Sequence, residues 1–241
     1  MNVVTVRDQH FDFKLKSDKV DSLTNFDFNT AEIDWMLNEA QSQLLKKKYG
    51  VHNSYRTGFE GNQKRIDDLK TLLVKFPEQP DIVPTLIEDG IYEINLSDLV
   101  HPYLFFIRAQ AYIDGCNWIS LRHIQHDDLN EILSDPFNGP DNNSLPFNFG
   151  RSSDSSGQSS IYIYPGIHNV DHVRFEYLKE PARIHFGGYT YIDGNTYPPQ
   201  DSELPVHVRS EIVDEAVAIA LGYVEDSNKY QIALNKAMMN E

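Results

Sequence analysis

Cysteine, basic residues and long apolar runs are all scarce in this sequence of 241 residues. The single cysteine, Cys116, cannot form an intramolecular disulfide, which favours folding in a reducing compartment. No stretch approaches the roughly 18 consecutive apolar residues of a transmembrane helix, and the N-terminus lacks the basic start and apolar run of a secretion signal. We therefore expect a soluble protein that neither spans a membrane nor follows the standard secretion route.

The deficit of basic residues is confined to one part of the chain. Residues 1–80 hold 12 Lys+Arg and 12 Asp+Glu, whereas residues 81–241 hold 9 and 24 and so carry the whole net charge of −15. Such a surface repels phosphate, which argues against ordinary nucleic-acid binding and against anionic membranes. An acidic wall could still face DNA that must slide without sticking. The simpler alternative is an acidic surface that only keeps the protein in solution.

Signatures of catalysis are also missing, since the sequence has no nucleophile elbow, phosphate loop or dinucleotide fingerprint. The best candidate for chemistry is the segment RHIQHDDLNE, which contains His123, His126, Asp127 and Asp128. A His-x-x-His pair followed by carboxylates can hold a divalent metal, as in a metal-dependent phosphohydrolase. The alternative is structural: Asp127 or Asp128 caps a short helical turn that Pro136 closes.

A second histidine pair, His168 and His172, has a spacing of four residues. In a strand this spacing would place both imidazoles on one face, where they could pair or bind a ligand. Two solvated histidines are the simpler interpretation. We therefore expect no metal site and no cofactor.

Three segments have the apolar period of amphipathic helices. The first starts after Asn29, which with Glu32 predicts an N-cap supported by a carboxylate. The second follows a capping pair, Thr57 and Glu60, with a buried face that continues to Phe76. The third begins at Pro205, a residue that is common in the first turn of a helix. Residues 1–27 have no such period: they mix isolated apolar side chains with charged ones, which predicts an extended arm.

Residues 81–202 consist of short runs rich in β-branched and aromatic residues, separated by Gly, Pro, Asn or Asp. We predict an α+β fold: a helical hairpin and a C-terminal helix form a small bundle, and the strands form a sandwich-like or barrel-like insertion. The expected domains are an arm at 1–27, a helical domain at 28–80 and 203–241, and a β-rich insertion at 81–202.

Three longer segments together resemble neck proteins of crAss-like phages with short tails. They are LNEAQSQLLKKKYG with FEGNQKRIDDLKTLL, then RHIQHDDLNEILSDPFNGP, then ELPVHVRSEIVDEAVAIAL. The resemblance implies a structural, non-enzymatic virion protein, assembled in the bacterial cytoplasm, that forms a ring of about twelve copies. It further implies contacts with the portal and with other neck and tail proteins, and a channel through which genomic DNA passes.

The resemblance also suggests where partners bind. In related adaptors the C-terminal segment reaches along the portal, and here its apolar residues would be the docking candidates: Tyr230, Ile232, Leu234, Met238 and Met239. The mixed-charge face of the second helix is the candidate for the contact with a neighbouring copy: Gln63, Lys64, Arg65 and Asp67. The alternative for this face is an ordinary solvated surface.

Three other functions remain open. The chain could be a different ring or a tail-tube protein of the same virion. It could be the phosphohydrolase described above, which needs His123, His126 and Asp127 to converge. It could also be a β-sandwich that binds carbohydrate, which needs an exposed row of Tyr or Trp on one sheet face.

Overall fold

The computed structural model describes residues 4–17, 28–49, 63–88, 90–140, 143–152, 159–191, 193–223 and 235. Within them the helices are α1 (Val6–Ser17), α2 (Thr30–Tyr49), α3 (Gln63–Leu69), α4 (Leu129–Ser134) and α5 (Val206–Tyr223). The strands are β1 (Leu73–Val74), β2 (Thr85–Glu88), β3 (Ile91–Asn95), β4 (Tyr103–Ile113), β5 (Asn117–His123), β6 (Ser144–Arg151), β7 (Ser159–Ile163) and β8 (Val170–Lys179). The predicted α+β fold is confirmed.

The chain divides into two compact units. The helical unit comprises residues 1–72 and 181–241, and the sheet unit comprises residues 73–180. The sequence predicted boundaries after residues 80 and 202. The first boundary lies earlier because Leu73 and Val74 pair with Leu178 and Tyr177, so the segment expected to prolong a helix forms an edge strand. Phe76, predicted to be buried, is 48% exposed.

Helix α2 follows its sequence signals closely. The backbone N–H of Asn29 donates to the Glu32 carboxylate at 2.8 Å, so the predicted N-cap is confirmed. A stripe of fully or nearly fully buried side chains then runs along one face: Ile33, Leu37, Ala40 and Leu44. This stripe packs against α5, which also contacts α1.

Helix α1 corrects the prediction of an extended arm over residues 1–27. Thr5 starts the helix, because its N–H and its hydroxyl both donate to Asp8, at 2.8 and 2.9 Å. Val6 and Phe13 are buried on one face, and the two residues that complete this face are Gln9 and His10. The sequence did not show the apolar period of a helix here because two of the four buried residues, Gln9 and His10, are polar. Residues 18–27 lie outside the described part.

Residues 183–191 lie in the part of the chain predicted to form short strands (residues 81–202), yet they belong to no strand of the structure. They take part in isolated bridges, at His185 with Gln200 and at Thr190 with Thr196. The backbone of this segment bonds instead to α2. Asn38 donates to the carbonyl of Ile184 at 2.9 Å and accepts from the N–H of the same residue at 2.9 Å.

Two further side chains of α2 continue this arrangement. Asp34 accepts from the N–H of Phe186 at 2.9 Å, and Gln41 donates to the carbonyl of Ala182 at 3.3 Å. Asp34, Asn38 and Gln41 are spaced by four and three residues, so they lie on one helix face. We call these three residues the polar seam. It supplies the hydrogen bonds that a neighbouring strand would otherwise give to residues 182–186.

The sheet unit is one eight-stranded sheet in the order β1-β8-β4-β5-β6-β7-β3-β2. All pairs are antiparallel except β5 with β6, which is parallel. Alternate residues of each strand form the core, and Ala109, Ala111 and Ile113 on β4 show this period. On the opposite face Arg108 forms a bidentate pair with Glu176, with both distances 2.7 Å.

The polar seam generates a stability prediction. Replacement of Asn38 by alanine leaves the N–H and C=O of the fully buried Ile184 without their partners. We expect a loss of about 3 kcal/mol in the free energy of unfolding, measured by urea denaturation. The matched control is Gln43→Ala on the same helix, whose amide bonds only to Glu39. An equal, small effect of both substitutions would contradict this role of the seam.

Candidate functional site

His123 and His126 lie near the end of β5, where both rings contact residues of β6. His126 donates from Nε2 to the carbonyl of Phe149 at 2.6 Å, and its Nδ1 lies 3.3 Å from the Asn148 amide nitrogen. The His123 ring centroid lies 5.4 Å from those of Phe147 and Phe149. Burial lowers the pKa of His123, and electrostatic repulsion from the nearby His126 lowers it further. Both nitrogens of His126 therefore already have protein partners.

The two neighbouring carboxylates do not join these histidines. Asp128 stands at the N-terminus of α4, but its side chain makes no capping hydrogen bond, so the predicted cap is wrong for this residue. Asp127 and Asp128 are both exposed. Among the residues that the structure describes, no group of three or more His, Cys, Asp or Glu side chains could hold a metal ion. The geometry therefore gives the phosphohydrolase hypothesis no support.

His168 and His172 do not share a strand face. His168 precedes β8 and its Nδ1 lies 2.8 Å from a carboxylate oxygen of Asp114. His172 belongs to β8, where it pairs in register with Tyr112. The prediction of two imidazoles on one strand face is wrong because His168 lies in the turn at residues 165–168, before β8 begins at Val170.

A groove of about 520 Å³ is lined by residues of β4, β6 and β7 and the turn after β3: Leu96, Tyr103, Phe149, Gly150 and Ser159. None of these lining residues carries a carboxylate, an imidazole or an amine. The groove therefore has an apolar and aromatic character, without an acid–base pair in its lining. Many aromatic side chains of the strands pack against one another, as Phe106 does with Phe147 at 5.1 Å between ring centroids.

Helix α3 carries the residues predicted to contact a neighbouring copy. Gln63 is exposed, and Asp67 lies 3.3 Å from Lys70 on the same helical segment. Lys64 is exposed and lies 3.4 Å from Glu211 of α5, with which it forms an ion pair within the chain. The side chain of Arg65 lies outside the described part. The interface role of these four residues stays a prediction.

Beneath α3 lies a charge cluster that sequence reasoning missed. Asp68 is fully buried, accepts a hydrogen bond from Lys48 and lies 2.7 Å from Nε2 of His207. Lys48 also donates to Glu211 at 2.6 Å. The charge cluster (Lys48, Asp68, His207 and Glu211) thus connects α2, α3 and α5. The sequence signal for this cluster was the run of lysines at 46–48. That run did not predict a buried ion pair, because lysines at the C-terminal end of a helix are equally explained by their interaction with the helix dipole.

Tyr230, Ile232, Leu234, Met238 and Met239, the predicted portal-docking residues, lie outside the described part of the chain. The described surface does expose large apolar side chains on both units, with Phe11 on the helical unit and Phe137 and Ile167 on the sheet unit. No helix in the described ranges is long and apolar enough to cross a membrane.

The class of protein that these features define is an α+β protein whose sheet unit is acidic and whose described surface exposes large apolar side chains. Comparison with known families shows to which family within this class the chain belongs. The model of the family described as phage tail ring protein 3/4 matches residues 5–231. The chain belongs to this family, which confirms the resemblance seen in the sequence. No curated protein matches it.

The charge cluster yields a second stability prediction. In Lys48→Met the buried Asp68 loses its ammonium partner, and we expect a loss of about 3 kcal/mol in the free energy of unfolding. The control is Lys70→Met, which removes an exposed pair with Asp67 and should cost at most about 0.5 kcal/mol. Thermal or urea unfolding measures both variants, and a Lys48 variant as stable as the control would refute the prediction.

Proposed function

We propose that this protein is one subunit of an oligomeric ring in the phage neck that connects the portal to the tail. The observation that carries the proposal is the family match over residues 5–231. The chain acts as a structural protein and not as an enzyme in this proposal, since neither the histidine segment nor the groove offers a catalytic arrangement. Subunits assemble in the cytoplasm of the host bacterium into a ring of about twelve copies.

The acidic sheet unit supports a role beside DNA. Residues 73–180 contain 6 Lys+Arg and 16 Asp+Glu, a net charge of −10, whereas the rest of the chain has −5. Hydrogen bonds from backbone N–H groups lower the pKa of Asp114 and of Asp135, so both stay ionised at neutral pH. A channel wall of this charge repels phosphate and lets the genome slide without sequence-specific contacts.

The C-terminal segment is the proposed contact with the portal. Its five apolar candidates (Tyr230, Ile232, Leu234, Met238 and Met239) lie among polar residues such as Gln231, Asn235 and Asn240, a composition suited to docking on an apolar surface. The other side of each subunit would meet further neck and tail proteins. A position lower in the tail, or a tail-tube role, is the second candidate within the same assembly.

Deletion of residues 224–241 tests the portal contact. The truncated chain ends at the last described residue of α5, so we expect the fold to persist and portal binding to be lost. Binding is measured by co-sedimentation with purified portal, and folding by circular dichroism. A milder variant replaces the five apolar candidates by serine, with Asn228→Ser, Gln231→Ser and Asn235→Ser as the matched polar control. Undiminished portal binding by both the truncated and the five-serine chains would contradict this contact.

A density map of the intact virion tests the proposed position and channel. We expect this chain in a ring directly below the portal, with the carboxylates of the sheet unit facing the DNA. A ring farther from the capsid would favour the second candidate. A ring whose inner wall is lined by Lys and Arg would contradict the electrostatic part of the proposal.

A further inference from the structure

The buried lysine of the charge cluster lies between two carboxylates. The side chain of Lys48 is 11% exposed, and those of Asp68 and Glu211 are 1% and 13% exposed. Nζ of Lys48 contacts Oδ2 of Asp68 and lies 2.6 Å from Oε2 of Glu211. The ion pair of Lys47 with Glu215, between the same two helices as Lys48 and Glu211, is more open, since its lysine is 34% exposed. The cluster therefore holds an amine between two carboxyl groups, away from bulk water.

The imidazole of His207 contacts the other oxygen of the Asp68 carboxyl group. Its Nε2 lies 2.7 Å from Oδ1, whereas the lysine contacts Oδ2. The carboxyl plane is therefore held at both oxygens. A hydrogen bond donated by the imidazole withdraws electron density from the carboxyl carbon and stabilises negative charge that develops on Oδ1 during attack by a nucleophile.

The lysine nitrogen is also close to the carboxyl carbon of Asp68. Contact with Oδ2 places Nζ within one further bond of Cγ, and reacting atoms about 3–3.5 Å apart are in a near-attack arrangement. A buried ion pair has a large desolvation cost, and transfer of a proton from the ammonium group to the carboxylate leaves two neutral groups. A neutral amine and a neutral carboxylic acid are the forms that can join as an amide.

We propose that Lys48 and Asp68 form an intramolecular isopeptide bond in the folded chain. The lysine Nζ attacks Cγ of the protonated Asp68 carboxyl group, and the bond from Cγ to Oδ2 breaks. Glu211 accepts a proton from the attacking nitrogen and passes it to the departing oxygen, which leaves as water. One ammonium group and one carboxylate thus become one amide and one water molecule, and no oxidant or other reagent is consumed.

The contacts of the two carboxyl groups distinguish their roles. Asp68 is the more deeply buried, and its oxygens contact the nucleophile on one side and the activating imidazole on the other. Glu211 contacts the attacking nitrogen and also lies 3.4 Å from Lys64. Asp68 is therefore the group attacked, and Glu211 carries the proton. The reaction modifies the chain once and is not a turnover of substrate.

The bond joins the C-terminal end of α2 to α3. Helix α3 has only seven residues, and a helix of this length is not stable in water without tertiary contacts. Lys48 and Asp68 are 20 positions apart, so the bond closes a loop and restricts the unfolded chain as a disulfide does. Because the bond lies within one chain, it forms whether or not the proposed ring function is right.

Mass spectrometry of the purified full chain tests the proposal. We expect an intact mass lower by one water molecule than the sequence predicts. Digestion with trypsin should give a branched peptide in which residues 48–56 are joined to residues 66–70, and its fragmentation should place the bond on Lys48 and Asp68. The more exposed pair of Lys47 with Glu215 is the internal control and should give no branched peptide.

Two variants separate this bond from other losses of water. An aspartate followed by glycine can lose water as a succinimide, and Asp114 and Asp193 precede glycines. Lys48→Arg keeps the positive charge without the reactive amine, so the mass deficit should disappear. Glu211→Gln keeps the shape of the side chain but cannot carry the proton, so the branched peptide should form about 100-fold more slowly. Circular dichroism checks that both variants fold.

Three results would overturn the proposal. The first is folded wild-type protein that keeps the full mass of the sequence after days of incubation, because the cluster is then an ion pair only. The second is a mass deficit that persists in Lys48→Arg. The third is a branched peptide that joins Lys48 to residues 210–229, which contain Glu211, instead of to residues 66–70. Formation at the wild-type rate in Glu211→Gln would overturn the role of Glu211 as proton carrier.

Discussion

The helical unit depends on the hydrogen bonds between helix α2 and the chain that returns from the sheet unit. Residues 182–186 belong to no named strand, and the three residues of the polar seam (Asp34, Asn38 and Gln41) supply partners for four of their backbone groups: the N–H of Phe186, the N–H and C=O of Ile184, and the C=O of Ala182. The same Asp34 accepts from Tyr189 and lies 2.6 Å from Nε2 of His10, so α1 is attached to the same point. Because buried backbone groups must have partners, this short polar row decides where three segments of the unit lie.

Assembly into a ring needs surfaces that remain exposed in the monomer. The structure distinguishes residues that make contacts within the monomer from residues that remain exposed to solvent. Lys64, one of the candidates for a contact with a neighbouring copy, lies 3.4 Å from Glu211 of its own α5, and its interface role stays a prediction. Phe137 and Ile167, which have no core to fill, remain in solvent on hydrogen-bonded turns.

The sequence predicted elements wherever local signals were complete. Helix α2 has a cap, an apolar stripe and a basic end within one segment, and it was found with its N-terminus at the expected residue. Helix α1 was missed because Gln9 and His10 occupy its buried face, so its apolar period is incomplete. The segment at 183–192 has the composition of a strand, but tertiary contacts with α2 override that preference. His126 bonds to the carbonyl of Phe149, a partner 23 residues away that its local sequence does not indicate.

The sequence by itself determined the α+β class, the helical periods, the acidic character of the sheet-forming part and the resemblance to phage ring proteins. These properties depend on composition and on residues three or four positions apart. Only the tertiary structure decided which polar side chains are buried and which apolar ones stay exposed. The bonds concerned join residues far apart in the chain, 146 positions for Asn38 with Ile184 and 163 for Lys48 with Glu211. No local pattern encodes such a pairing, because it exists only after the chain has folded.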